Sequence, residues 1–520
     1  PKLEVPPITR RSMTGLAIFV IALVAIGWII WASPGTSVEA FAMLGIGIPI
    51  LFVLKSRWVT IIGLLSFQVI VAFVFMGNSL YALYAVFGVV GVIVAFEASA
   101  IIYMLFVAAI WFSSVTSFTT SPLILQSVAG GALIVGWIFR QLSTRKSIAK
   151  SLYFPDRWIP IILVSWAAFG VLIWSVNPAD SGWLQLKMLG SGVLFFLLSP
   201  LILESERQLT LGLWAWIIAA FIAAFSTPVS IGPFSIITDE MSTEAAMAAK
   251  NVTAAFLSYS IFLVIAFYYY AKNIYAKMGL ILICTFLAIV IFSLYSRAAT
   301  ASAAIAFALY LLLDMFVVSR NKQPLKIIAK LFFFVSLGII LLLSVYFLGL
   351  DEMIGSYSDL FYGVGGSSSW EFRLLAWGVA RDMILGEGHI IRGLGLGAFW
   401  ELGPSYGFTV TTLEEDMALF SPHSLFLDIL LHYGLVGLIL FLTLIYQNMR
   451  RLWMIFANCE NEKLRYIALG LFCGLFAFYL HNVIDAQLYN ITDYWMYLGL
   501  SAALINIAER YNSHLNPNSS

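Results

Sequence analysis

Charge is scarce in this sequence. Of 520 residues only 11% are Asp, Glu, Lys or Arg, against 61% hydrophobic, and the mean hydropathy is +0.95. A water-soluble chain with that balance would expose large apolar patches and aggregate, so a soluble fold is excluded. The few charges nearly cancel, to a net +1, which leaves no basic field for nucleic acid. Cysteine is almost absent: Cys284 and Cys473 fall inside apolar runs and Cys459 in a polar loop. Three such residues make no disulfide framework and are expected to be small, buried or interfacial side chains. There is no internal repeat, no low-complexity tract and no HExxH pair.

What the sequence has in abundance is long apolar runs. A helix needs about 20 apolar residues to cross the hydrocarbon. Runs of that kind fall near 14–32, 38–54, 58–76, 80–96, 98–113, 121–139, 158–176, 184–203, 209–228, 252–271, 277–295, 298–318, 326–349, 423–446, 465–486 and 491–508. The expectation is an all-α polytopic membrane protein of about 14–16 spans. Residues 1–350 are transmembrane helices including an Arg297 hairpin; 351–422 form a large outer loop; 423–510 hold three C-terminal helices; 511–520 form a disordered tail. The lead PKLEVPPITRRSM reads as a cytoplasmic approach to the first span. With residues 80–113 taken as two helices and both ends inside, all but six of the 28 basic residues fall in cytoplasmic segments.

Those six are Lys187, Lys250, Arg297, Arg373, Arg381 and Arg392, all on or near the outer face. The outer loop at about 228–251 carries a short helix from Thr243 to Ala249. The much longer one at 350–422 exceeds the length of a structureless connector. In the latter, Phe372, Leu375, Ala376, Val379 and Met383 recur at helical spacing and predict an amphipathic helix over 369–385, lying along the membrane surface.

Arg297 opens a span in SLYSRAATASAAIAF; it either anchors to lipid phosphate or binds a ligand. Arg373 stands in WEFRLLAW, one turn before Trp377, which suits an interfacial belt or a lipid-linked phosphate gripped by a guanidinium. Arg381 and Arg392 are weaker candidates, because Glu371, Asp382 and Glu387 are near enough in sequence to neutralise them. The alternating glycines of RGLGLGAF, Arg392 to Phe399, predict a tight re-entrant turn rather than a dinucleotide fingerprint. His423, after Pro422 at the outer start of a span, can act as a general base or merely cap and pack the helix. Asp428 and His432 follow it four residues apart, as do His481 and Asp485 on the next span; both pairs read as internal polar contacts. Metal ligands are scattered, the nearest acidic run being Glu414-Glu415-Asp416, and outer-face arginines can neutralise a diphosphate without a metal.

Three elements in order resemble the O-antigen ligase and O-antigen/exopolysaccharide polymerase family of bacterial envelope glycosyltransferases. They are Ser296-Arg297, then Arg373 and Trp377 with the turn Gly395, Gly397, Phe399, and then the helix led by His423 and closed by Gly434 and Gly437. The resemblance covers residues from about Thr285 onward; it departs at Ser424, where the family often has Asn, and at Ile391, where it has Pro.

The resemblance implies an inverting, metal-independent transferase without cofactor. It would move a glycan from undecaprenyl diphosphate to a hydroxyl acceptor, glycan or lipid A core, on the periplasmic side of the inner membrane. Arg297 and Arg373 would hold the diphosphate and His423 would activate the acceptor, with Arg392, Arg381, Trp377, Asp428 and Lys250 in support. Lipopolysaccharide biosynthesis as ligase, polymerisation, protein O-oligosaccharyl transfer and lipid-linked glycan transport (a flippase) stay open at this level.

Overall fold

The computed structural model describes residues 157–178, 182–226, 230–231, 234–235, 243–294, 296–320, 367–386, 389–407, 422–484 and 492–515, with a few positions between 103 and 138. The chain divides into two compact units, Pro1–Ser151 and Leu152–Ser520. In the first, the described positions, Tyr103 and several from 130 to 138, are helical. Apart from Tyr103, the expected spans from 14 to 113 lie outside the described residues, as does that at 326–349.

The second unit is a helical bundle. Its helices are α1 (Trp158–Ile173), α2 (Trp183–Ile202), α3 (Glu206–Ser226), α4 (Thr243–Tyr270), α5 (Ile274–Ser293), α6 (Arg297–Arg320), α7 (Ser367–Gly386), the short α8 (Ala398–Leu402), α9 (Leu425–Asn458), α10 (Glu462–His481) and α11 (Thr492–Leu515). Seven helices among the described residues are long and apolar enough to cross a membrane: α2 to α6, α9 and α10. The protein is an all-α polytopic membrane protein, with one two-residue hairpin, Ser230–Ile231 paired with Phe234–Ser235, between α3 and α4.

Several boundaries differ from the sequence reading. The short helix expected at Thr243–Ala249 is the first two turns of α4, because no breaker separates it from the span behind it. α9 runs 12 residues past the expected end at 446, carrying Arg450 and Arg451 on its last turns. α11 continues to Leu515, so half of the expected disordered tail is helical. α11 is also less apolar than a lipid-facing span and is not one of the seven. It does not need to be more apolar, since it packs along α2 and has α3, α9 and α10 as further neighbours.

The register of α4, α6 and α10 orients the bundle. Tyr269 of α4 stacks on Tyr466 of α10 at 4.9 Å, while Tyr259, ten residues earlier, meets Phe478 at 5.6 Å. The two helices are therefore antiparallel. Tyr310 of α6 stacks on Tyr269 at 6.0 Å, and the short connectors that join α4 to α5 and α5 to α6 make α6 run parallel to α4, so the start of α6 points toward the beginning of α4 and the end of α10. Small residues permit the close crossing: a methyl at Gly470 would meet the Phe262 carbonyl oxygen at 2.7 Å and the Ala266 Cβ at 2.8 Å.

At the opposite end, the connectors are capped and cross-linked. Ser205 and Gln208 form a reciprocal capping box at the start of α3. Asn461 caps α10 by accepting from the Lys463 and Leu464 amides. Glu206 takes Lys463 at 3.0 Å and the Asn461 amide at 3.2 Å, and Arg510 donates to the Glu204 carbonyl at 3.0 Å. This end collects basic residues assigned to the cytoplasm from sequence: Arg451, Lys463, Arg465 and Arg510. All three cysteines are free and buried, and burial pushes the Cys459 thiol up.

Gly470→Ala is expected to lower stability by about 1–3 kcal/mol through overpacking. Gly279→Ala in α5, where an added methyl meets nothing within 4 Å, is expected to be neutral or to gain up to about 1 kcal/mol. Thermal unfolding of the two variants in detergent checks the contrast, and equal midpoints would contradict it.

Candidate functional site

Three segments converge where α9 is broken. Gly434 adopts φ 66°, ψ −167° in the middle of α9, a conformation no helix contains. In an unbroken helix the Leu435 and Val436 amides would donate to the Leu431 and His432 carbonyls. Here Leu435 N donates to Ile390 O at 2.9 Å and Val436 N to Ile391 O at 3.3 Å. The carbonyls they abandon are taken from the same turn: Leu394 N donates to Leu431 O at 2.8 Å and Gly395 N to His432 O at 3.0 Å. A third carbonyl at the break, that of Tyr433, accepts the Trp166 indole N–H from α1 at 3.0 Å.

The alternating glycines make this insertion possible. Gly393, Gly395 and Gly397 have φ of 75°, 88° and 83°, a left-handed region where a side chain is penalised. Space matters as much: a methyl on Gly393 would meet Gly434 N at 2.5 Å, and one on Gly434 would run into the Ile391 carbonyl. The re-entrant turn expected from RGLGLGAF is present, and its partner is a helix rather than the membrane surface. The turn also accepts Ser175 Oγ at Leu396 O, 2.9 Å, and Asn177 bonds Glu401 at 2.9 Å, fastening the residues after α1 to it.

α7 lies on the first turns of α9. Ala376, Val379, Ala380, Met383 and Ile384 form a buried cluster with Leu394, Ala398, Phe399 and Leu431, flanked by Leu427 and Leu430. The amphipathic helix is two residues longer at its start and one at its end than expected, and its face is turned: Leu375, expected inside, is half exposed. Arg373 is one turn ahead of this cluster, half-buried, and Trp377 is half-buried beside Ala376.

His423 stands two residues before α9, ahead of its N-cap Ser424. It is the one non-glycine residue with positive φ among the described residues, at 50°. Such a conformation costs about 1–3 kcal/mol and persists where surrounding contacts over-determine it. Those contacts are visible: Pro422 before it and Ser424 after it are buried, and Leu425 N donates to Asn482 O at the end of α10, 2.9 Å. His423 is therefore pinned to the end of α10 that faces the start of α6. Arg297 opens α6 at that end, half-buried, and Lys250 falls on the second turn of α4 there.

Of the supporting candidates, Arg381 is exposed and paired with Asp382 at 2.8 Å, so its charge is locally neutralised. Asp428 and His432 form a buried pair, Oδ1 to Nδ1 3.4 Å, on α9, as the four-residue spacing predicts. His481 is fully buried, and Asp485 lies outside the described residues. Arg392 bonds His389 at 2.8 Å and lies over the Trp174 ring at 5.4 Å, partners that the sequence reading did not single out. The three-residue step from His389 to Arg392 was a readable signal; Trp174, more than 200 positions away, was not. Among the described residues no group of three His, Cys, Asp or Glu could hold a metal ion.

Residues 280–442 match the family model of O-antigen ligase, a stretch that contains Arg297, Arg373 and His423. The match supports the O-antigen ligase family, and with it membrane glycan transfer of the ligase or polymerase type. No curated protein matches the chain.

Gly434→Ala is expected to cost at least about 2 kcal/mol, because it combines a left-handed alanine with a steric clash, and to reduce folded yield in membranes. His423→Gly is expected to hold or raise the thermal midpoint, because glycine relieves the positive φ; a drop of several degrees would show that the side chain, not the backbone, is the structural element.

Proposed function

We propose, from the O-antigen ligase match over residues 280–442, that this chain transfers a glycan from undecaprenyl diphosphate to a hydroxyl acceptor at the periplasmic face of the bacterial inner membrane. The observation that carries the reading is that the matched segment holds a conformationally strained histidine pinned to the bundle end where Arg297 opens α6. In the reaction, the acceptor oxygen attacks the anomeric carbon as the bond from that carbon to the diphosphate oxygen breaks. The configuration inverts. His423 takes the proton from the acceptor hydroxyl, and Arg297 and Arg373 stabilise the charge that grows on the leaving diphosphate. Fixed guanidinium groups remain charged at every relevant pH and need no metal ion for this task. The acceptor is lipid A core for a ligase, or a growing O-antigen or exopolysaccharide chain for a polymerase.

Purified protein given lipid-linked glycan donor and acceptor is expected to form the glycosidic product, and to continue in EDTA. His423→Asn, whose side chain tolerates the left-handed backbone, is expected to stay folded while transfer falls by about 10²–10⁴-fold. Arg297→Ala and Arg373→Ala are expected to abolish transfer. Full activity of His423→Asn would remove the assigned base. In a deletion strain, unlinked polymer would identify a ligase and single repeat units a polymerase.

A further inference from the structure

Arg392 is an arginine of the glycine turn that the mechanism above does not use, and its surroundings are those of a built site. Its Nη2 donates to His389 Nε2 at 2.8 Å. Arginine has only donors, so this ring nitrogen must be the unprotonated one and His389 contributes no charge through the contact. The guanidinium is also spread over the Trp174 ring at 5.4 Å. That ring is itself fixed, lying on Gly170, with Trp166 at 5.4 Å and Phe169 at 5.3 Å, while the Trp166 indole donates to the Tyr433 carbonyl at the helix break. No carboxylate pairs with Arg392 among the described residues, whereas Arg381, on α7, takes Asp382.

Around this cation the surface is apolar. Leu172, Ile173 and Val176 after Phe169 on one side, and Ile390 and Ile391 on the other, are exposed large hydrophobic residues. In a membrane protein such residues face lipid, and an arginine among them is stabilised by a phosphate at headgroup level. We propose that Arg392, held by His389 and Trp174, binds a phosphate or diphosphate group carried on a membrane lipid. In this chain that lipid is the polyprenyl diphosphate donor, received laterally from the bilayer before it reaches Arg297 and Arg373. The identity of the lipid rests on the transferase reading; the phosphate site itself does not.

The full-length protein in phosphatidylcholine nanodiscs is titrated with undecaprenyl diphosphate and, separately, with phosphatidylglycerol, and retained lipid is counted by native mass spectrometry. Arg392→Ala is expected to weaken undecaprenyl diphosphate binding at least tenfold and Arg392→Lys less, with thermal midpoints unchanged and phosphatidylglycerol unaffected. Equal loss of both lipids supports the site and makes bulk lipid its occupant. Unchanged binding of both lipids in the folded Arg392→Ala protein overturns the proposal, as does inorganic pyrophosphate binding in detergent as tightly as the lipid. Because binding is read without turnover, a protein that binds the lipid through Arg392 yet transfers no glycan would defeat the transferase reading alone.

Discussion

The break in α9 at Gly434 is the constraint around which the site end of this molecule is arranged. A helix interrupted inside a membrane protein leaves backbone donors and acceptors that lipid cannot satisfy, each costing about 1–3 kcal/mol if unpaired. Here two amides and two carbonyls are satisfied by a single turn, Ile390 to Gly395, and a further carbonyl by the Trp166 indole. The exchange is stoichiometric: the turn supplies two acceptors and two donors for the two helical hydrogen bonds lost. It can do so because its alternating glycines point successive amides and carbonyls at the helix without side chains intervening.

That splice fixes the neighbours in turn. α9 as a whole would extend about 51 Å, well beyond the roughly 30 Å of hydrocarbon. The part after the break, 435–458, is about 36 Å long and sufficient to span by itself. The turns before the break are thereby free to be a platform rather than a span. α7 packs on that platform through Ala376 and Ala380 against Leu431, and His423 stands two residues ahead of it, where Leu425 N is tied to the Asn482 carbonyl at the end of α10. A histidine built on such a platform has little freedom, which is what its proposed role as a general base at a fixed attack geometry requires. Trp166 and Trp174 link α1 to the same junction, so a helix from outside the matched family segment takes part in holding the site.

Charge is distributed by the same economy. One end of the bundle gathers ion pairs near helix ends, Glu206 with Lys463 and Glu509 with Arg451, where exposure makes each worth little alone. The other end presents arginines, and Arg381 takes the neighbouring Asp382 carboxylate. Positive charge beside apolar surface suits an anionic, membrane-borne ligand.

Much of this was legible in the chain. Spans at α2 to α6, the amphipathic α7, the Asp428–His432 pair and the outlying arginines all follow from local pattern, because hydropathy and helical period are properties of neighbours in sequence. The tight turn at Arg392–Phe399 was legible as well, from glycine alone. What the turn touches was not, since the carbonyls that receive it are freed only once α9 has broken at Gly434, and the sequence reads 423–446 as one continuous span. The positive φ of His423, the turned face of α7 and the seat of Arg392 on Trp174 are likewise decided by contacts between segments tens to hundreds of residues apart. Sequence by itself determined the membrane and the helices, because hydropathy and period are local; tertiary structure decided which backbone groups were left unpaired, and so which segments had to meet.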